Sequence, residues 1–371
     1  MNISSRIYLK SFKPKKKNNN IIREFKKLIE DKSQLIKSLS NSYKNSYNKK
    51  LILKFKKYSK IRLIGMGGSS LGAKAIYHFL KHKIKKKFIF VDNLDTKNLS
   101  KDNKKSELNL VISKSGNTLE TITNINLLNR KGQKNIFITE NKKSYLHNLS
   151  KKLKSDLIFH NNFIGGRYSV LSEVGMLPAE LMGFNTMKFK KFNNLIKNKN
   201  FKNVLISNVS SLLNLVKKKK TNSIILNYDE NSTDLFYWYQ QLVAESLGKN
   251  ERGILPIISS MPKDNHSLMQ LYLSGPKNNF YTFFFVNDTK SKRMNKIKLA
   301  QFNATQNVFR KKNIPFRSFV IKNRSEETLG ELFTFFILET ILLGRVMNVN
   351  PFNQPAVELI KTETKRILLK N

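Results

Sequence analysis

IRLIGMGGSSLGAKAIYHFL, residues 61 to 80, runs from a short apolar segment through a glycine-rich turn into an amphipathic one. IRLI has the length and composition of a buried strand, and the residues after Ser70 have helical spacing. Glycines at a strand-to-helix turn let the backbone approach a ligand closely, and the free amides of the helix N-terminus favour an anion. The spacing of GMGGSSLG departs from the dinucleotide fingerprint GxGxxG and lacks the Gly-Lys-Ser/Thr ending of a P-loop. A tight turn in an α/β domain without a nucleotide would read the same way.

Working outward, the alternation continues. Ile61 to Ile64, Phe88 to Val91, Leu108 to Ile112, Ile136 to Thr139 and Leu157 to Phe159 read as strands, with helical patterns at 70 to 82, 118 to 130 and 142 to 153. After the lysine-rich stretch Lys188 to Lys202 the pattern repeats, with strands at Ser223 to Asn227, Ile254 to Ile258, Tyr281 to Val286 and Phe316 to Ile321. Helical patterns fall at 204 to 216, 233 to 248, 265 to 273, 292 to 311, 326 to 345 and 354 to 369. The expectation is α/β: two tandem doubly wound three-layer domains with parallel sheets, an N-terminal helical arm and a C-terminal helix. The expected divisions are 1–55 for the arm, 56–187 and 188–345 for the two α/β domains, and 346–371 for a C-terminal loop and helix. Ligands of such sheets sit beyond the carboxyl ends of the strands, so the loops after Ile64, Ile112, Asn227 and Ile258 are the places to search.

Composition narrows the chemistry. Among 371 residues there is no cysteine, which excludes disulfides and thiolate zinc sites, and with only five histidines no metal or other cofactor is expected. The N-terminus lacks the apolar core of a secretory signal, and no segment has the uninterrupted apolar length of a membrane span. The expected location is the cytoplasm, with no membrane partner. The formal charge of +44 is nearly all lysine and is spread along the chain. Runs such as 14 to 17, 85 to 87 and 217 to 220 read as solvated faces, and no nucleic-acid partner is expected.

A second turn of the same kind is SKSGNTLET, Ser113 to Thr121, between LNLVI and the helical pattern at 118 to 130. Ser113, Ser115 and Thr118 converge there with exposed amides and Lys114, a cradle for a phosphate dianion. A capping box, with Asn117 capping the helix and Glu120 reaching back, would use other atoms of the same turn.

GMGGSSLG followed by SKSGNTLETITN resembles the glucose-6-phosphate isomerase family, whose domains carry the sugar-isomerase (SIS) fold. GGRYSVLSEVGMLP at 165 to 178, QQLVAESLGK at 240 to 249, DNHSLMQL at 264 to 271 and NQPAVELIK at 353 to 361 follow in family order. The resemblance implies that Ser113, Lys114, Ser115 and Thr118, with Gly68 and Ser69 of the glycine loop, hold the phosphate of a sugar phosphate. Gly166 lies in the same substrate-binding set, and Arg167 stabilises an enediolate intermediate as a cation that keeps its proton. Glu245 corresponds to the general base that moves a proton between C1 and C2 of the open-chain sugar, and Gln241 shares its helical face. His266 and Lys361 match the residues that open the sugar ring, and Gln354 makes a polar contact to the sugar or its phosphate. The family's histidine reaches into the neighbouring subunit's site, which implies a homodimer; His78, His82, His147 and His160 lie on helix surfaces or at a strand end. Outside the motifs a lone Arg, Glu, His or Lys at these positions would read as an ordinary surface or loop residue.

The phosphate loop differs from many relatives in Gly116 and Asn117, which interrupt its hydroxyls, and the chain is shorter than most. Two other functions fit part of the pattern: a bifunctional glucose/mannose-6-phosphate isomerase, and a non-catalytic SIS sensor of sugar phosphates. The sensor needs only the SGNT-type loop, so the presence of Arg167, Glu245, His266 and Lys361 speaks against it.

Overall fold

The computed structural model describes residues 3–12, 18–95, 107–287 and 291–369, so the lysine run 14 to 17 lies outside the described residues. Ten strands form two sheets: β1 (Ile7–Lys10), β2 (Lys60–Ile64), β3 (Lys87–Val91), β4 (Glu107–Ile112), β5 (Lys134–Glu140), β6 (Asp156–His160), β7 (Asn222–Asn227), β8 (Leu255–Ser260), β9 (Asn279–Val286) and β10 (Phe316–Ile321). The first sheet has the order β3-β2-β4-β5-β6 and is parallel throughout. The second has the order β1-β10-β9-β7-β8, parallel except at one edge.

That edge departs from the sequence expectation. The sequence predicts only a helical arm near the N-terminus, yet β1 pairs antiparallel with β10, Ile7 opposite Ile321 and Lys10 opposite Ser318. IYLK alternates buried and exposed, the pattern of an edge strand with one face on the core. The helices Asn19–Ile29, Gln34–Ser38 and Lys49–Phe55 follow it.

Period-two alternation places side chains on both faces of each central strand. Ile225, Phe284 and Val286 join the main core, whereas Ile224, Leu226, Phe283 and Phe285 pack on the opposite face with Phe302 and Phe309 of the helix Lys292–Lys311. The first sheet does the same: Leu63 and Leu110 face the main core, and Ile64 and Val111 meet Ile125 and Leu146 of the outer helices. Through the main core runs the helix Glu326–Val346, buried on nearly every side, as a helix apolar all round must be. No helix among the described residues is long and apolar enough to cross a membrane.

Between the sheets the lysine-rich stretch is not a free tether. Phe192 and Leu195 are buried on the helix Phe192–Lys197, and the Phe192 amide donates to the Leu39 carbonyl. Lys190 is itself buried, its ammonium donating to the carbonyls of Ser38 and Leu171, and burial holds it down at about 7 against the pull of Glu173.

Another element that the sequence reading lacked is the helix Glu173–Met182, which follows a 3-10 turn at Gly166–Leu171. Gly175 and Pro178 obscure its periodicity. The glycine is required because a Cβ there would sit 2.0 Å from the Val170 carbonyl oxygen.

Candidate active site

The two glycine-containing turns leave neighbouring parallel strands. After β2 the chain makes a 3-10 turn at Gly67–Ser69 and enters the helix Leu71–Phe79. After β4 it turns through Ser113–Thr118 into the helix Leu119–Leu128. Each turn contains a residue in the left-handed region that favours glycine, Gly67 at φ +54 and Gly116 at φ +68. Gly116 leaves no room for a side chain, since a Cβ would lie 2.1 Å from Ser144 Oγ. The residue that interrupts the hydroxyl series is therefore one the turn requires.

Ser113 is buried and its Oγ lies 2.8 Å from Thr118 Oγ1, while Ser115 Oγ accepts from the Asn117 amide at 3.2 Å. Lys114 donates to the Asn162 carbonyl at 2.9 Å and stands 3.4 Å from Glu140. The capping box does not form. The helix begins with Thr118 as N-cap and no side-chain cap bond, and Asn117 Oδ1 instead accepts from the Tyr145 amide at 2.9 Å. Asn117 thus ties the turn to the next helix.

The glycine loop packs directly on the GGR loop. A Cβ on Gly68 would fall 2.2 Å from the Gly166 carbonyl carbon and 2.7 Å from the Arg167 nitrogen. Across from Gly67 stands the helix Thr233–Leu247, with Gln241 Nε2 2.8 Å from where a Gly67 Cβ would lie. Ser69 is partly exposed at the end of this turn. Gly68, Gly166, Gln241 and the Arg167 backbone are therefore neighbours.

Arg167 is buried and uses all five of its N–H groups. Nε donates to Ser246 Oγ at 2.9 Å; one terminal nitrogen donates to Glu245 Oε2 at 3.1 Å and to Gln354 Oε1; the other donates to the carbonyls of Pro351 at 2.7 Å and Asn353 at 3.1 Å. Glu245 Oε1 accepts from Gln241 Nε2 at 2.8 Å, the four-residue helical spacing placing both on one face. The Glu245 side chain remains 25 % exposed, so it is held on two sides and open on a third. Gln241 Oε1 is buried without a protein partner.

Three neighbours were not singled out from sequence. Ser246 and Tyr168 are bonded to each other at 2.8 Å, and Tyr168 also donates to the Pro351 carbonyl, fixing the strap that carries Gln354. Lys249 donates to the carbonyls of Ser246 and Asn350 at 2.9 and 2.7 Å. Burial and the adjacent Arg167 lower its ammonium to about 8, opposed by Glu245. All three lie inside the quoted motifs, and membership of a motif does not distinguish a partner from a bystander.

His266 and Lys361 stand apart from this group within the chain. The turn after β8 is organised by buried Asp264, which accepts from Ser259 Oγ at 2.8 Å and the Ser260 amide at 2.7 Å and leaves His266 exposed. Lys361 lies on the helix Pro355–Leu368, which has no buried residue, and pairs with Glu358 at 2.6 Å. None of the described side-chain contacts joins either residue to Glu245. Among the described residues no group of His, Asp and Glu could hold a metal ion.

Two wound, largely parallel sheets with glycine turns leaving neighbouring strands are the fold of the SIS sugar isomerases. The chain belongs to the phosphoglucose isomerase family, whose sequence profile matches residues 17–253. It is 32% identical to the glucose-6-phosphate isomerase of Methanocaldococcus jannaschii over 81% of this chain and 82% of that protein. It is 33% identical to that of Mycoplasmopsis pulmonis over 83% of this chain and 82% of its relative. A glucose-6-phosphate isomerase structure from Chlamydia trachomatis superposes with a TM-score of 0.73 at 20% identity, covering 94% of this chain and 74% of that one.

Proposed function

We propose that the protein interconverts glucose 6-phosphate and fructose 6-phosphate through an enediolate, in the cytoplasm and without a metal or redox cofactor. The observation that carries this reading is the convergence of Arg167, Gln241 and Gln354 around Glu245, beside the glycine loop. In the open-chain aldose, Glu245 removes the proton from C2. The C–H electron pair forms the C1–C2 double bond, and the carbonyl oxygen O1 gains the negative charge. The O2 hydroxyl proton then passes to O1, moving the charge to O2, and returning the abstracted proton to C1 as the O2 electron pair forms the C2 carbonyl gives the ketose.

With every Arg167 donor engaged, an enediolate oxygen gains an N–H by displacing one partner. Gln354 is the exchangeable one, since the carbonyls of Pro351 and Asn353 are held by the strap and Glu245 is needed as base. Gln241 Oε1 is an acceptor ready for a sugar hydroxyl. The phosphate sits on Ser113, Ser115, Thr118 and Lys114, with Ser69 opposite.

Ser113→Ala combined with Thr118→Ala should raise KM for fructose 6-phosphate at least about tenfold, since each bond to a charged group contributes roughly 1.5 to 3 kcal/mol. Initial-rate kinetics give the answer. Unchanged KM and unchanged inhibition by 5-phosphoarabinonate, which mimics the enediolate, would move the phosphate site elsewhere.

Exposure of His266 and of the helix carrying Lys361 supports a homodimer in which His266 completes the site whose base is Glu245 of the other copy. Inactive His266→Ala and Glu245→Gln homodimers, mixed under subunit exchange, would form heterodimers with one doubly altered and one intact site. At random reassortment about half the dimers regain one working site, roughly a quarter of the wild-type activity per site. Verified exchange with no recovery would assign His266 to its own subunit.

A further inference from the structure

The loop that delivers Arg167 starts at a buried charged cluster outside the candidate site. β6 ends at His160, and the helix Glu173–Met182 begins at Glu173; both side chains are 1 % exposed. His160 Nδ1 lies 2.6 Å from Glu173 Oε1, and His160 Nε2 lies 3.0 Å from the Ile164 carbonyl oxygen. Both ring nitrogens therefore face an oxygen, Nδ1 the Glu173 carboxyl and Nε2 the Ile164 carbonyl, so the ring bridges the two. Glu173 Oε1 also accepts from the Asn161 amide at 2.9 Å, and Oε2 accepts from Tyr43 Oη at 2.8 Å.

The arrangement staples residues 161 to 164 at both ends: Asn161 to Glu173, and Ile164 through His160 to the same carboxylate. The Ile164 amide closes the loop on the Asn161 carbonyl at 3.1 Å. Only Gly165 and Gly166 then separate the second staple from Arg167. The same loop supplies the Asn162 carbonyl that receives Lys114 of the phosphate turn. One short segment therefore touches both halves of the site.

Burial works against the Glu173 carboxylate, and the His160 bond and charge together with the Asn161 amide overcome it, holding the carboxyl below its ordinary range. Lys190 stands over the Tyr43 ring at 5.0 Å on the other side. A buried ion pair of this kind is no more stabilising than well-packed apolar residues of the same volume, and what it supplies that they would not is directional bonding.

We propose that His160 and Glu173 are positioning residues for the isomerase reaction: through the 161–164 loop they set the place of the Arg167 guanidinium relative to Glu245. This rests on the reading of Arg167 and Glu245 given above.

The test compares His160→Phe, Glu173→Gln and Tyr43→Phe, with active sites counted by 5-phosphoarabinonate titration well below each variant's Tm. Tyr43→Phe removes only the bond to the far oxygen of Glu173, so it should hold kcat within about threefold of wild type, whereas Glu173→Gln weakens the anchor shared by His160 and Asn161 and should lower kcat in the same direction as His160→Phe. His160→Phe loses the Ile164 staple and the bond from His160 that holds Glu173, and its kcat per folded site should fall about tenfold to a hundredfold, the scale of an ångström misplacement. Affinity for 5-phosphoarabinonate should fall in parallel, while inhibition by inorganic phosphate stays within about threefold because Ser113 and Thr118 are untouched. A purely structural role predicts fewer folded sites with wild-type kcat at each, and that result overturns the proposal. Should His160→Phe not fold, His160→Gln, which keeps one donor, gives the same comparison: reduced kcat per site supports the proposal, and wild-type kcat overturns it. A wild-type rate in the His160 variant alongside a large loss in Arg167→Lys refutes this inference alone, and wild-type rates in both refute the role of Arg167.

Discussion

Glu245→Gln is expected to lower kcat for fructose 6-phosphate by a factor of roughly a hundred to ten thousand, the usual contribution of a positioned general base. The amide keeps the shape of the side chain, and its oxygen can still accept from Gln241 Nε2 or from Arg167, the two bonds that hold Glu245 at 2.8 and 3.1 Å. What it loses is the ability to take the C2 proton. KM should therefore change little, and 5-phosphoarabinonate should still bind. A variant with wild-type kcat would mean that another group moves the proton.

Arg167→Lys has the second largest expected effect. An ammonium keeps the charge but cannot span the five acceptors that the guanidinium joins: Ser246, Glu245, Gln354 and the carbonyls of Pro351 and Asn353. Removing one donor aimed at a developing oxyanion costs about a hundred- to a thousandfold in kcat. The Asn353 carbonyl left without a donor should also lower stability by about 1 to 3 kcal/mol, whereas the Pro351 carbonyl keeps Tyr168. Kinetics and urea unfolding of the same preparation separate the two effects. A folded Arg167→Lys with near wild-type kcat would leave Arg167 a role in holding the 351–354 strap and none in catalysis.

Much of this geometry is local, and that is why it was legible. A strand, a glycine turn and a helix are contiguous in sequence, so IRLIGMGGSSLG and LNLVISKSGNTLE announce their structure. The spacing of Gln241 and Glu245 likewise needs only helical geometry. What depended on distant partners was not legible. The pairing of Ile7 with Ile321 joins opposite ends of the chain, and a four-residue alternation cannot name its partner strand. His160 reads as a strand end until Glu173 and Tyr43 close on it. Asp264 reads as the neighbour of His266, yet it holds the turn that presents that histidine. Gly175 and Pro178 hid a helix because the reason for the glycine, the Val170 carbonyl, lies in the turn before it.

The central claim is that this constellation isomerises a hexose phosphate by proton transfer on protein groups alone. Its most direct test is a coupled assay of the full-length protein that measures glucose 6-phosphate formed from fructose 6-phosphate in the presence of EDTA, with mannose 6-phosphate run in parallel. Rapid formation of glucose 6-phosphate that is undiminished by EDTA is the predicted result. Absence of glucose 6-phosphate from a folded preparation, or activity only after a divalent cation is restored, would contradict it.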